Sequence, residues 1–106
     1  MVAPIGLLPV DFASCPAVHI GTGCIRRDLP SRQGVRVWIV VMAPGAQWPY
    51  VDQHDDQGED VFILSGALIE GKSRFGPGTY LHFGPGSSHR PRTDEGVVLA
   101  GFNLLA

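Results

Sequence analysis

The residues of this chain best suited to chemistry are Asp52, His54, Glu59 and His89, two carboxylates and two imidazoles on two separate stretches. Asp52 and His54 lie two apart, so on an extended strand their side chains share one face. Glu59 follows after a short gap containing Gly58, enough to turn a corner and begin an apolar strand at Asp60. His89 comes directly after Gly84-Pro85-Gly86-Ser87-Ser88, a rigid turn that holds it at a fixed angle. Two imidazoles and two carboxylates brought together are costly without a counter-charge. A divalent cation supplies one, and two histidines with a carboxylate are a common set for non-haem iron and related metals. The expected centre is a metal pocket in which the two stretches meet.

Other polar residues around these four carry weaker roles. Asp55 and Asp56 read as the solvated part of an acidic loop. His82 alternates with Tyr80 along one strand face and is either a pocket residue or a surface histidine. Inside the pocket it would serve as a general base near neutral pH. Tyr50 reads as packing or as a residue of the pocket mouth, and with His82 it completes the set of catalytic candidates. Arg90 and Arg92 would bind an anionic substrate if they faced inward, although exposed arginines are commoner. His19 has no partner pattern. Gly-x-Ser-x-Gly, His-Glu-x-x-His and a phosphate-cradling glycine loop are all missing from the sequence.

The elements that must position these groups are short strands. With 14 Gly and 9 Pro, the chain is punctuated too often for long helices, and no segment sustains helical apolar spacing over three turns. Val35 to Met42 is β-branched and aromatic, and its nearly continuous apolar run suits a strand covered on both faces. Three Pro-Gly turns follow the same chemistry, at Ala43 to Ala46, Gly76 to Thr79 and Gly84 to Ser87, with Pro presetting φ and Gly accepting φ > 0. Tyr80 to Phe83 and Asp60 to Leu64 are strand-length pieces. Ser65-Gly66 reads as a two-residue hairpin, Gly71-Lys72 as the next turn, and Gly96 to Leu105 as a buried closing strand. Residues 1–23 read as an apolar arm, extended by Pro4 and Pro9, that is either tucked under the domain or packed on a second subunit. Short strands with turns every eight to twelve residues predict an all-β sandwich, jelly roll or barrel.

The two stretches together resemble the two motifs of the cupin superfamily. Gly45, Asp52-x-His54, Glu59 and Gly66 are similar to the first motif: Gly, five residues, His-x-His, three or four residues, Glu, six residues, Gly. Gly78, Gly84-Pro85-Gly86 and His89 are similar to the second: Gly, five residues, Pro-x-Gly, two residues, His, three residues, Asn. The match runs from Gly45 to Thr93, a little under half the chain. Tyr80 to Gly96 looks most like the zinc-binding cupin domain of certain anti-sigma factors and cupins described as acetylacetone-dioxygenase-like. The resemblance implies a cupin (RmlC-like) double-stranded β-helix, a jelly-roll barrel, with His54, Glu59 and His89 as ligands and Asp52 in place of the first histidine. Gly84 stands where the family usually has Pro, and Thr93 where it often has Asn. Asp52 either keeps the site with more oxygen character, favouring iron or manganese over copper, or marks its loss.

At 106 residues the chain reads as one domain, 1–106, large enough to bury one core. A net charge of -2 gives no electrostatic case for nucleic acid or an anionic membrane, and no apolar run reaches the length of a membrane span. Without a signal-peptide pattern, Cys15 and Cys24 read as reduced thiols and the cytoplasm as the location. The expected function is a metal-dependent, oxygen-using enzyme acting on a small organic substrate. Its cofactor would be a divalent Fe, Mn, Zn or Ni ion, and a homodimer would form through the apolar terminal segments. The alternatives are a non-catalytic ligand- or metal-sensing domain and a metal-free barrel. No helical sigma-binding region accompanies the barrel in this sequence, which counts against a purely anti-sigma role.

Overall fold

Val35 to Met42 forms a strand with the expected bounds, and it stands near the middle of the main sheet. The computed structural model describes residues 6–54 and 57–105. In chain order the strands are β1 (Ala17–Gly21), β2 (Cys24–Leu29), β3 (Val35–Met42), β4 (Asp52–Gln53), β5 (Glu59–Gly66), β6 (Leu68–Glu70), β7 (Ser73–Phe75), β8 (Tyr80–Phe83), β9 (Ser88–His89) and β10 (Val97–Leu104). A 3-10 turn, Phe12–Ser14, precedes them and is capped by the Asp11 carboxylate. Six strands form one antiparallel sheet in the order β1-β2-β3-β10-β5-β8. The two-stranded ladders β4-β9 and β6-β7 lie outside this sheet. Bridges from Arg92 to Gln47 and Ile69 join the β6 ladder to the segment leading into β4.

Alternation along the central strands decides what faces inward. Opposite residues of antiparallel strands share a face, so the register sets Cys24 beside Met42 and Val97, and Val40 beside Leu99 and Ile63. Trp38, Gly101, Val61 and Leu81 form the next row, and Arg36, Asn103, Glu59 and Phe83 the last. The first three rows, closed by Leu68 from the smaller layer, supply the buried core of Cys24, Trp38, Val40, Met42, Val61, Ile63, Leu68, Val97 and Leu99. The fourth row is the polar end of the same face. Gly101 is required in the third row: a Cβ at this position would stand 2.4 Å from the Trp38 ring.

All three Pro-Gly turns form as expected. The amide of Ala46 donates to Ala43 O, that of Thr79 to Gly76 O and that of Ser87 to Gly84 O, with a positive-φ glycine third in each turn. Gly71-Lys72 likewise closes the β6-β7 hairpin.

Two expectations are corrected. Ser65-Gly66 is no hairpin, because β5 pairs with β10 and β8, and Gly66 is its last residue. Gly66 is there for close approach, since its Cβ would lie 2.0 Å from Gly96 O. The register shifts between Val98 and Leu99, leaving Leu64 as the extra residue of a bulge. Residues 1–23 are also not wholly an arm: β1 pairs with β2 across a Thr22-Gly23 turn. That dipeptide between Ile20 and Ile25 was the overlooked signal. Leu7, Leu8 and Val10 are exposed, so the described part of the arm is not tucked beneath the barrel. Cys15 and Cys24 are both buried free thiols, and burial pushes the Cys24 thiol pKa up.

Candidate metal centre

Asp52, His54, Glu59 and His89 converge. β4 pairs with β9 so that Asp52 faces His89, and the His54 amide donates to Ser87 O, 2.8 Å away, extending that ladder by one residue. Glu59 arrives from the main sheet as the first residue of β5. One ligating atom from each of the four lies within 4.8 Å of all the others. The shared face expected of Asp52 and His54 is realised, with His54 Nε2 3.4 Å from Asp52 Oδ2 and 2.9 Å from Glu59 Oε2. His89 Nε2 stands 3.3 Å from the same Asp52 oxygen. For metal bonds of about 2.1 Å, adjacent ligands in a regular polyhedron stand about 3 Å apart, close to these three separations, so the four residues form a group that could hold one cation.

The outer partners fix which nitrogen of each imidazole faces the centre. Ser87 Oγ donates its only proton to Gly84 O, 2.7 Å away, and therefore accepts from His54 Nδ1–H at 2.9 Å. His54 Nε2 is left with a lone pair directed inward. His89 Nδ1–H donates to Glu70 Oε1 at 2.6 Å, so Nε2 faces the centre, where its proton bonds Asp52 and would be displaced by a cation. Imidazoles oriented this way by outer carboxylate or hydroxyl partners are the usual arrangement around metal ligands. Glu59 is held through a longer relay. Trp38 Nε1–H donates to Asn103 Oδ1 (2.8 Å), so the Asn103 amide nitrogen must face Glu59 Oε1 (3.2 Å) and Gly58 O (3.4 Å). Phe83 stacks on His89 with ring centroids 4.2 Å apart and tilts against His54 at 4.9 Å, forming an apolar floor beneath both rings.

The charges respond to this crowding. Burial pushes the Glu59 pKa up, while the Asn103 hydrogen bond and His54 oppose the rise. The His89 hydrogen bond is the main reason the Asp52 pKa is lowered, against a desolvation penalty. Burial is the largest single effect on His89 and lowers its pKa, but the hydrogen bonds and charges of Asp52 and Glu70 together outweigh it and raise the pKa from 6.5 to about 9. A raised folded-state pKa stabilises the fold fully below the unfolded value and loses that contribution as pH rises through the folded one. Chelator-treated protein should therefore lose thermal stability between pH 6.5 and about 9. Melting temperatures at half-unit pH intervals check this, and His89→Gln should flatten that limb. An unchanged slope in the variant would assign the loss to another group.

A cavity of about 230 Å³ opens beside the cluster, lined by all four of these residues together with Trp38, Phe83 and Asn103. Tyr50 also lines it, half-exposed at the mouth with its ring edge-on to Trp48 at 6.0 Å. His82 does not. It lies on the outward face of β8, where Nδ1 is 2.8 Å from Asp60 Oδ1, and Tyr80 donates to the same oxygen. The pocket alternative for His82 is corrected by strand alternation: Leu81 and Phe83 take the inner face. Arg90 donates to Trp48 O and Arg92 pairs loosely with Asp94, so neither lines the cavity. Asp55 and Asp56 lie outside the described residues. The sequence reading missed Glu70, Ser87, Asn103 and Trp38. Only Asn103 had a legible cue, as a polar residue in an otherwise apolar closing strand.

A family model for the ChrR cupin-like domain matches residues 8–104. Among solved structures, the chain is similar to an RmlC-like cupin from Shewanella frigidimarina (17% identity, TM-score 0.76, covering 92% of this chain and 89% of that one). It is also similar to a chain in the complex of Rhodobacter sphaeroides SigE with the anti-sigma ChrR (17% identity, TM-score 0.76), covering 88% of this chain but only 51% of that one. The polyketide cyclase RemF from Streptomyces resistomycificus superposes with a TM-score of 0.78 at 13% identity, over 94% of this chain and 80% of that one. No curated protein matches the sequence. At these identities the likeness to solved structures is one of fold, a jelly-roll cupin barrel. No helix among the described residues is long and apolar enough to cross a membrane.

Proposed function

The chain belongs to the ChrR cupin-like family, and on that footing we propose that it is a metal-dependent cupin enzyme that binds a small organic molecule beside one divalent cation and uses oxygen. The observation that carries the reading is the convergence of Asp52, His54, Glu59 and His89 with both Nδ1 atoms turned to outer partners. Two imidazole nitrogens and two carboxylates are a hard-to-borderline set, which favours Fe or Mn, admits Zn or Ni, and disfavours Cu. When bound, such a cation supplies Lewis acidity and, if redox-active, electron transfer to oxygen. The protein's own residues do the rest. Asp52 and Glu59 neutralise the charge, Ser87 and Glu70 hold the imidazoles in one tautomer, and Phe83 keeps water from one side. Tyr50 stands at the mouth, where its hydroxyl can meet a ligand; His82, on the outer face, has no part in this reading.

The test is metal analysis of protein purified without added metal, beside Asp52→His, followed by oxygen uptake with candidate substrates. About one redox-active ion per chain with substrate-dependent uptake is expected. A metal-free native protein whose Asp52→His variant gains the ion would overturn the reading and mark Asp52 as the lesion. A sensing role without turnover is the second reading, favoured by the likeness to a chain of the SigE–ChrR complex. Stoichiometric metal and saturable ligand binding with no oxygen uptake would support it. A homodimer belongs to the same proposal, with exposed Leu7, Leu8 and Val10 as the apolar segment a second copy would cover. A monomeric mass in solution would remove it.

A further inference from the structure

The outer face of the main sheet is apolar along its central strands. An antiparallel sheet with one face in water alternates apolar and polar residues along each strand. β3 and β10 do not. Their register sets Val35, Val37, Ile39 and Val41 on the outer face, opposite Leu104, Phe102, Ala100 and Val98. On β5, Phe62 continues the row of Ile39 and Ala100, and Tyr80 of β8 ends it, its ring 4.9 Å from that of Phe62. The charged residues of these rows are engaged within the chain. Arg27 donates to Ala13 O and Cys15 O, and Asp60 accepts from Tyr80 and pairs with His82.

The chain itself covers one part of this face. The Arg27 bonds draw the Phe12–Ser14 turn onto β2, and Ile39, opposite Arg27, is buried. The β10-β5-β8 side is open among the described residues: Phe62, Leu64, Tyr80 and Leu104 are each 45–50% exposed. The arm leading into the turn is a second bare apolar surface, with Leu7, Leu8, Val10 and Phe12 exposed and no charge from Gly6 to Val10. Side chains of this size, half in water, leave on the order of 100 Å² each, so arm and open face together expose on the order of 800 Å² of apolar side chain. That is about one partner's share of a standard protein interface.

A surface without unpaired charge selects an apolar partner, and this chain carries two such surfaces that match each other. We propose that a second copy of the chain covers this face, the arm of each copy lying across the outer side of β10, β5 and β8 of the other. A two-fold contact of this kind is self-complementary and buries both surfaces at once. It gives the homodimer proposed above its surface, and rests on that reading.

Sedimentation of the native chain over a concentration series should give a dimer. Phe62→Lys and Leu104→Lys, each counted twice in a two-fold contact and each burying an unpaired charge, should raise its dissociation constant at least about 100-fold. Val51→Lys, at a more exposed apolar site outside these strands, should leave it unchanged. A second measurement needs no variant to fold. Isotope-filtered NMR on mixed labelled and unlabelled native chains should show cross-peaks from the Leu7 and Leu8 methyls of one copy to the Phe62 and Tyr80 rings of the other. A native monomer at every concentration would remove both the homodimer and this inference, leaving the face to a different protein. A dimer that survives both Phe62→Lys and Leu104→Lys, that Val51→Lys breaks as readily, or that shows no such cross-peaks would overturn this inference alone.

Discussion

His54→Ala should weaken cation binding by about two orders of magnitude. A four-ligand protein site holds its ion with about 10–16 kcal/mol. Divided over four donors this is about 3 kcal/mol each, or roughly 100-fold in affinity. His54 is the ligand for which this estimate applies most directly, because its side chain is only 3% exposed and water cannot readily replace it. Its Nε2 is also within 3.4 Å of both Asp52 and Glu59, so its loss leaves two carboxylates facing each other across a hole. Competition against a chromophoric chelator measures the change. Ser87→Ala, which removes only the hydroxyl that orients the ring, should cost less, on the order of tenfold. Native affinity in His54→Ala would mean that the cation binds elsewhere.

The second large effect is on stability. Gly66→Ala should lower the melting temperature by about 12 °C or more, corresponding to about 3 kcal/mol in a chain of this size. Gly66 has φ +72°, where an alanine costs about 1–2 kcal/mol. The added Cβ would also fall 2.0 Å from the backbone oxygen of Gly96, and neither backbone can yield without opening the β5-β10 ladder. The contrasting variant is Gly71→Ala, whose φ of +57° is similar but whose Cβ would meet nothing within 4 Å. It should show only the conformational part of the loss. Thermal unfolding of both variants separates strain from collision. Equal losses would mean that Gly66 matters for its φ alone.

Both variants bear on how much of this molecule a reader of the sequence can see. β3 was legible because Val35 to Met42 is a continuous β-branched run, and the Pro-Gly turns because Pro and Gly each force one half of a turn's dihedrals. Gly66 was misread for a related reason. Ser-Gly between apolar residues looks like a hairpin locally, yet here the glycine answers to a carbonyl thirty residues further along the chain. His82 was undecided because period-two alternation states which residues share a face, not which face is inside. The register against Asp60 on β5 settled that.

The sequence by itself determined the all-β class, the three Pro-Gly turns and the identities of Asp52, His54, Glu59 and His89 as the candidate ligands, since residue type, short spacing and turn chemistry are local properties. Only the tertiary structure decided that these four meet within 4.8 Å. It alone showed that Glu70, Ser87 and the Trp38–Asn103 relay aim them, and that Arg26, Arg36 and Trp48 line the same cavity. Those groups come from strands and turns far apart in the chain, and tertiary folding brings them to one site. Hydrogen-bond partners and cavity walls of that kind leave no spacing rule in the sequence.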